Sequence, residues 1–271
     1  MTGAKGFLQR TGAKVRILEG IPIVKETLHP LLIPRYFYSI IIVRIFPTNC
    51  GQRNPMHKKS RKYNGLWTKE ELTIFRTLRS PAAIQCFLES IPYSSESRYR
   101  SPRSVLYDRK AHCYDGALFA AASLRMIGYP PVIVDMQSVH DDDHVIAIFR
   151  SHGRVGAIAK SNFAGLRFRE PVYRTIRELV MSYFESFYNM NREKSLRRYT
   201  DPLDLSSFDS DGWMVQNERL DRIVDRLNTM RTHPLMTDTM VRSLHPVDTR
   251  TFKSGLFGAN HAGIYYPKKK R

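Results

Sequence analysis

The feature that most constrains the fold is a run of small and apolar residues from Tyr114 to Ile127. Alanine and leucine favour helix, and a helix that is apolar on every side is typical of the middle of a domain. Gly128 is a suitable C-terminal cap, and Pro130-Pro131 prevents the helix from continuing. The sequence therefore predicts a central buried helix, with Cys113 directly before its first residue.

Three short apolar segments follow this helix. Val132–Val134 predicts a buried strand, and Val145–Phe149 and Val155–Lys160 predict an antiparallel hairpin with a tight turn at 151–154. Helix, strand, strand, strand is an order typical of an α+β domain in which helices cover an antiparallel sheet.

Helical patterns flank this unit on both sides. They predict helices that begin at Thr68 and at Ser80-Pro81, and later helices over Val172–Tyr188 and Asn217–Met230. Residues 93–110 are polar and rich in arginine and serine, and they predict a long connecting loop.

Cys113 is a candidate nucleophile because of its position. A helix start offers unpaired backbone N–H groups and the positive end of a dipole, and both lower the pKa of a thiol, more so beside an imidazolium. The plain alternative is a small buried side chain, which we assign to Cys86. Gln85, 28 residues earlier, is a candidate oxyanion donor, with a helix-surface glutamine as its alternative.

His144 is the candidate partner of this thiol. It opens a strand in which period two places His144, Ile146 and Ile148 on one face. A histidine at the mouth of a strand can reach a neighbouring helix start, and the alternative is a solvent-facing turn residue beside Asp141, Asp142 and Asp143. These three aspartates are consecutive and have no spaced glutamate, so they do not fit a calcium loop.

The third member of a site depends on the hairpin register. A two-residue loop at His152-Gly153 places Ser161 opposite His144, whereas a three-residue loop or a bulge places Asn162 there. An amide oxygen fixes an imidazole better than a hydroxyl does, which favours Asn162.

The segment from Ala111 to Pro131 resembles the core of the transglutaminase-like superfamily. In that family a cysteine begins a helix of small residues that ends in Leu-Arg, here Leu124-Arg125. His144 matches the family's histidine at the start of a later strand. Asn162 matches the residue that ends the next strand, which is usually aspartate in the family. The resemblance covers about residues 84–190.

The resemblance implies a papain-like core with N-terminal helices, a cysteine-bearing helix packed on a small antiparallel sheet, and C-terminal helices. It also implies a cysteine enzyme in which Cys113 attacks an amide or peptide carbonyl, His144 shuttles the proton and Asn162 orients the imidazole. We expect hydrolysis or acyl transfer on a protein or peptide substrate, with no cofactor and no metal. A catalytically inactive interaction protein of the same fold is the alternative.

Positive charge lies mainly outside this core. Residues 1–62 carry 12 basic and 2 acidic side chains, whereas residues 63–190 carry 16 and 13. A folded nucleic-acid reader concentrates basic residues on its domain, so the flanks indicate at most weak polyanion binding through the tails. We expect a poorly ordered basic extension over 1–62, a domain over 63–230 and a largely disordered basic tail over 231–271.

Two further expectations concern the ends and the cellular setting. Met56 precedes a basic run and is a candidate natural start, which makes residues 1–55 a candidate non-native extension. Three cysteines without CxxC spacing argue against a disulfide framework or a zinc site and favour a reduced, cytoplasmic protein. The most apolar run, 36–43, is far short of the roughly 20 residues that a membrane helix needs.

Overall fold

The structure is a computed structural model that describes residues 63–266. The predictions for residues 1–62, including the start at Met56 and the basic extension, lie outside this range, as do residues 267–271. Within the described range, no helix has both the length and the apolar composition that a bilayer span requires.

The helices of this range surround one sheet. Their bounds are α1 Lys69–Phe75, α2 Pro81–Glu89, α3 Pro102–Asp108, α4 Cys113–Met126, α5 Ile176–Met181, α6 Asp221–Thr229, α7 Asp238–Arg242 and α8 Thr249–Gly255. Shorter 3-10 helices span Ala164–Leu166, Phe184–Ser186, Leu205–Asp211 and His261–Gly263.

The sheet has seven strands, and all of their pairings are antiparallel. The strands are β1 Val132–Ser138, β2 His144–Ser151, β3 Arg154–Ile158, β4 Arg169–Tyr173, β5 Leu196–Thr200, β6 Leu203–Asp204 and β7 Thr232–Pro234. Their order is β4-β3-β2-β1-β5-β7, and β6 pairs with β1. The protein is therefore a mixed fold of helices and antiparallel sheet, an α+β class.

The hairpin of β2 and β3 has a two-residue loop. Ser151 pairs with Arg154, and the loop residues His152 and Gly153 have φ values of 49° and 73°. Positive φ at both central residues is the geometry of the tight turn that matches strand twist. Because this register brings Ala147 opposite Ile158, it is the first of the two alternatives that the sequence left open.

The two faces of the sheet bury different clusters. Val145, Ala147 and Phe149 of β2 belong to the cluster that contains α4 and the N-terminal helices. Ile146 and Ile148 belong to the second cluster, with Leu179, Tyr183 and other residues of the α5 region. Alternation along β2 therefore separates the two layers that cover the sheet.

Helix α4 lies at the centre of the first cluster. Its residues from Tyr114 to Met126 are all buried, as a helix without a polar face requires. At Gly116, an added Cβ would lie 2.3 Å from the Cβ of Lys160, so this close approach requires glycine. At the other end, Arg125 donates to Asp209 at 2.6 Å and lies over the Tyr63 ring.

Two predicted elements are wrong. The range Val172–Tyr188 is not one helix, because β4 pairs with β3 up to Tyr173 and α5 begins only after the Thr175 N-cap. The predicted loop over 93–110 contains α3, whose N-cap Ser101 accepts from the Ser104 N–H and whose first residue is Pro102.

The predicted disorder of residues 231–271 is also wrong for the part that the structure describes, which continues to residue 266. This segment contains β7, α7, α8 and a 3-10 helix. Leu235, Val247 and Ile264 are buried, and the side chains of Thr237 and Asp248 cap the two helices. Leu235 packs in the second apolar cluster, and the Val247 N–H donates to the Arg192 carbonyl at 2.9 Å, so contacts with distant parts of the chain hold this segment in place.

Candidate functional site

The site begins at the first turn of α4. His112 is the N-cap, and its ring nitrogen Nδ1 accepts from the Asp115 N–H at 3.5 Å. The Asp115 carboxylate in turn accepts from the His112 N–H at 3.3 Å, which completes a reciprocal cap. Cys113 is thus the first residue of the helix, and His112 serves the helix end rather than the chemistry.

A buried ion pair fixes this helix start. The Arg100 and Asp115 side chains are both fully buried, and the Asp115 carboxylate accepts from the Arg100 N–H at 2.8 Å and from its guanidinium at 3.4 Å. Arg100 also donates to Asp108 at 2.9 Å. Such charge-assisted bonds hold the backbone that carries Cys113 in one position.

Cys113 is half-buried, and its thiol lies against the strand that carries the histidine. The Sγ atom is 3.8 Å from the carbonyl oxygen of Asp143, and the Val145 N–H also interacts with it. Burial raises the pKa of Cys113 to about 12, and the charge of Asp135 adds to this, whereas the backbone N–H groups of Val145 and Tyr114 oppose it. This direction is opposite to the lowering of the thiol pKa that a helix start favours.

His144 is buried at the first position of β2. Its Nε2 lies 2.9 Å from the carbonyl oxygen of Leu166. A carbonyl can only accept, so Nε2 carries the hydrogen and Nδ1 is left as the acceptor. Burial lowers the pKa of His144 to about 4, the charge of Arg169 lowers it further, and the bond to Leu166 opposes both. The imidazole is consequently neutral at pH 7.

One cavity brings the two groups together. Cys113, His144 and Asn162 all line it, with Tyr93 and Leu166. The His144 ring lies on the second face of the sheet, where it meets Phe187 edge-on with centroids 6.3 Å apart. Cys113 approaches from the α4 side, and its sulfur contacts the backbone on both sides of His144. The hydrogen bonds described above join each group to backbone atoms and not to each other.

The structure corrects the position expected for the third residue. The Asn162 amide lines the cavity, but it binds the segment from Asn260 to Gly263 and makes no hydrogen bond to His144 within residues 63–266. Ser161 instead accepts from the Phe163 N–H at 3.0 Å. The carbonyl of Leu166 holds the imidazole in place of either side chain.

Gln85 holds the backbone directly after β3. Its side chain accepts from the Ala159 N–H and donates to the Ala159 carbonyl, both at 3.0 Å. They satisfy the backbone groups of Ala159, which in this hairpin register point away from β2. Gln85 is therefore a buried structural residue, neither the oxyanion donor nor the helix-surface glutamine considered from sequence.

Tyr93 is a residue of the cavity that the sequence did not single out. Its phenol interacts with Cys113, and burial, with the charges of Cys113 and Asp142, raises the pKa of Tyr93. It lies in the segment predicted as a polar loop. An aromatic residue directly after the helix-ending Pro92, followed by serines, was the signal that could have found it.

Acidic residues surround the site without forming a metal centre. Asp143 accepts from the Ser138 N–H at 2.7 Å, and Asp141 accepts from the Ser195 hydroxyl at 2.6 Å. Asp135 is buried with one carboxylate oxygen unpartnered, and burial followed by the charge of Asp143 raises its pKa to about 7. Within residues 63–266, no group of three or more histidine, cysteine or acidic side chains is arranged to hold a metal ion.

Comparisons with known proteins found only weak structural similarity. No family model matches the sequence, and a search of curated proteins finds no match. Similar solved structures include Legionella pneumophila LapG, with 13% identity, 40% of this chain and 75% of that chain covered, and a TM-score of 0.27. The EGTA-treated form of LapG gives the same identity and TM-score over 40% of this chain and 72% of its own. Similarity at this TM-score carries no argument about function, which must come from the site itself.

Proposed function

We propose that this protein is a cysteine hydrolase or acyl transferase that acts on an amide or peptide bond. Cys113 is the nucleophile and His144 is the base. The observation that supports this most is that both side chains line one cavity, with the sulfur against the backbone that flanks His144 and with Nδ1 of the imidazole left as the acceptor.

The charge states favour a general-base step over a preformed ion pair. A neutral His144 takes the thiol proton at Nδ1 as the sulfur attacks the carbonyl carbon. The resulting imidazolium gives that proton to the leaving amine when the carbon–nitrogen bond breaks, which leaves a thioester on Cys113. Water or an amine then attacks the thioester, and the thiol is restored. N–H groups at the start of α4 are suited to the oxyanion of both steps.

The same assignment includes the fold family. We propose a transglutaminase-like, papain-like core over residues 63–230. Support comes from the order of elements, in which a cysteine begins a buried helix, a histidine begins a later strand, and residues shortly after the next strand line the same cavity. In this proposal the Leu166 carbonyl takes the orienting role that the family gives to a side chain.

Acylation of Cys113 by a small activated ester tests the enzyme assignment. Intact mass and peptide mapping should detect a thioester on Cys113 in the native chain and none in Cys113→Ala. His144→Ala should slow acylation by about 10²-fold, the lower range for loss of a general base. Equal acylation rates in the native and His144→Ala chains would contradict the assignment.

The raised pKa of Cys113 favours a second candidate, a protein that keeps the fold without catalysis. In that case the activated ester leaves no adduct on Cys113.

Polyanion binding through the basic flanks is a separate proposal, which rests on sequence alone. Residues 1–62 carry 12 basic and 2 acidic side chains. Binding of this kind should fall steeply with salt, and charge reversal in the run from His57 to Lys62 should weaken it.

A further inference from the structure

The C-terminal part of the described chain lies on the cavity that contains Cys113. Gly263 and Tyr265 line this cavity together with the cysteine, and Ile264 between them is buried. Residues 260–263 form a tight turn, in which the Gly263 N–H donates to the Asn260 carbonyl at 3.0 Å. The Asn260 side chain caps the turn by accepting from the Ala262 N–H at 3.1 Å. We call residues 260–263 the C-terminal turn.

Asn162 holds the main chain of the C-terminal turn with both ends of its amide. Its Nδ2 donates to the carbonyls of Asn260 at 2.9 Å and Gly263 at 3.1 Å. Its Oδ1 accepts from the Asn260 N–H at 2.7 Å. These three bonds use only backbone atoms of the turn, so they would recognise any chain that folds in the same way.

Tyr93 adds contacts that depend on the residues of the turn. The Asn260 Nδ2 donates to the Tyr93 carbonyl at 3.0 Å. A Cβ at position 263 would lie 3.0 Å from two carbons of the Tyr93 ring, so the surface accepts glycine there and resists larger residues. The phenol of the same tyrosine interacts with Cys113, which places these contacts beside the nucleophile.

The segment before the turn is anchored to the same wall of the cavity. The Tyr188 hydroxyl donates to the Thr251 carbonyl at 2.9 Å, and the Tyr188 ring packs near Phe252 with centroids 5.8 Å apart. Tyr188 and its neighbour Phe163 also line the cavity. The contacts between Tyr188 and α8 therefore help to position the turn that follows α8.

We propose that Tyr93 and Asn162 form a binding subsite for a peptide turn of the type Asn-x-x-Gly, and that the chain's own residues 260–263 occupy it and cover Cys113. This inference rests on the proposed function, because it names the substrate class of the proposed enzyme as a protein loop that contains such a turn. The occupied subsite is the covered state of the enzyme, and a substrate loop must displace the C-terminal turn to reach the sulfur.

Gly263→Val tests the covering role in the full-length chain, with Ala262→Val as its matched control. Both substitutions place a valine side chain on one turn, but residue 262 is exposed whereas position 263 faces Tyr93. Chloroacetamide alkylation of Cys113, normalised to Cys86 by peptide mapping, should rise by about tenfold or more in Gly263→Val, because loss of the three Asn162 bonds uncovers the sulfur. It should stay within about twofold of native in Ala262→Val.

Asn260→Asp gives an independent test that does not depend on tolerance of the valine. The change is nearly isosteric, but it replaces the donor to the Tyr93 carbonyl with a repelling oxygen. Alkylation of Cys113 should again rise several-fold. Native-like alkylation in both Gly263→Val and Asn260→Asp would overturn the covering role.

A peptide added in trans tests the subsite itself. A synthetic peptide with the sequence of residues 258–266 should restore protection of Cys113 in the Gly263→Val chain. The same peptide with valine in place of Gly263 should not. Equal protection by both peptides, or by neither, would overturn the assignment of an Asn-x-x-Gly subsite.

These readouts separate the inference from the proposed function. Alkylation by chloroacetamide and protection by a peptide require neither His144 nor turnover. If acylation depends on His144 but Gly263→Val does not change the alkylation rate, the enzyme assignment stands and the subsite assignment is contradicted. If alkylation is faster in Gly263→Val but Cys113 is not acylated by the activated ester, the subsite assignment stands and the enzyme assignment is contradicted.

Discussion

His144 and Cys113 meet the cavity as two neutral groups, since burial lowers the pKa of one to about 4 and raises that of the other to about 12. The positive end of the α4 dipole and the N–H groups of Val145 and Tyr114 stabilise a thiolate, but they do not offset its desolvation here. A resting thiol of this kind reacts only when a base removes its proton or when water enters the cavity.

His144 should also make the free energy of unfolding depend on pH. Its pKa in the folded protein, about 4, is below the ordinary value of 6.5, so folding favours the neutral ring. The stabilisation is fully present above pH 6.5 and is lost as pH falls from 6.5 towards 4, by up to about 3 kcal/mol. Urea unfolding from pH 4 to 7 should show a smaller loss in His144→Gln, whose amide can still donate to Leu166. An unchanged slope would contradict the burial of a neutral ring.

Asp135 should have the opposite pH dependence. Its pKa is raised from 3.8 to about 7, so its contribution is fully present below pH 3.8 and is lost as pH rises through 7. Between pH 5 and 8 the contribution of Asp135 to the free energy of unfolding of the native chain should fall by on the order of 2–4 kcal/mol. In Asp135→Asn this part of the loss should vanish in urea unfolding at the two pH values, whatever the baseline stability of the variant. A loss of equal size in both chains would show that Asp135 is ionised throughout.

At the scale of elements, α4 depends on one close approach to β3 and the residues that follow it. Gly116 lies against Lys160, whose Nζ donates to the carbonyls of Leu88 and Ile91 at 2.8 and 2.6 Å. The lysine thus ties the end of α2 to the first turn of α4 and cannot move freely away from an added methyl group.

Gly116→Ala should therefore destabilise the fold despite the better helix propensity of alanine. Overpacking of this kind costs about 1–3 kcal/mol. Gly65→Ala is the matched control, because nothing lies within 4 Å of an added Cβ there. The midpoint of urea unfolding should fall in Gly116→Ala and stay near native in Gly65→Ala; equal midpoints would mean that the helix can shift.

Elements whose signals are local could be predicted from the sequence, and those that depend on distant partners could not. Helix α4 begins one residue before its predicted start because the His112 side chain serves as its N-cap. By contrast, β4 was not predicted, and its last two residues, Val172 and Tyr173, were assigned to a helix, because pairing with β3 leaves no local pattern. The expected contact of Asn162 with His144 was wrong because it required a three-residue loop or a bulge, whereas the hairpin has a two-residue loop at His152 and Gly153.

At the scale of the whole molecule, the last part of the described chain closes the site that the middle part builds. Asn162 and Asn260 are 98 residues apart, and their contact joins two segments that the sequence assigns to a domain and to a disordered tail. A tail with few apolar residues predicts disorder on composition alone. Its order comes from hydrogen bonds to residues of the cavity wall, and amino-acid composition does not predict such contacts.

The most direct test of this account is the pH dependence of Cys113 alkylation by chloroacetamide in the native chain, followed by peptide mapping. A covered thiol with a pKa of about 12 beside a neutral imidazole predicts a rate that rises about tenfold per pH unit from pH 6 to 10 without a plateau. A rate that is already constant between pH 5 and 8 would mean a thiolate–imidazolium pair and would contradict the account.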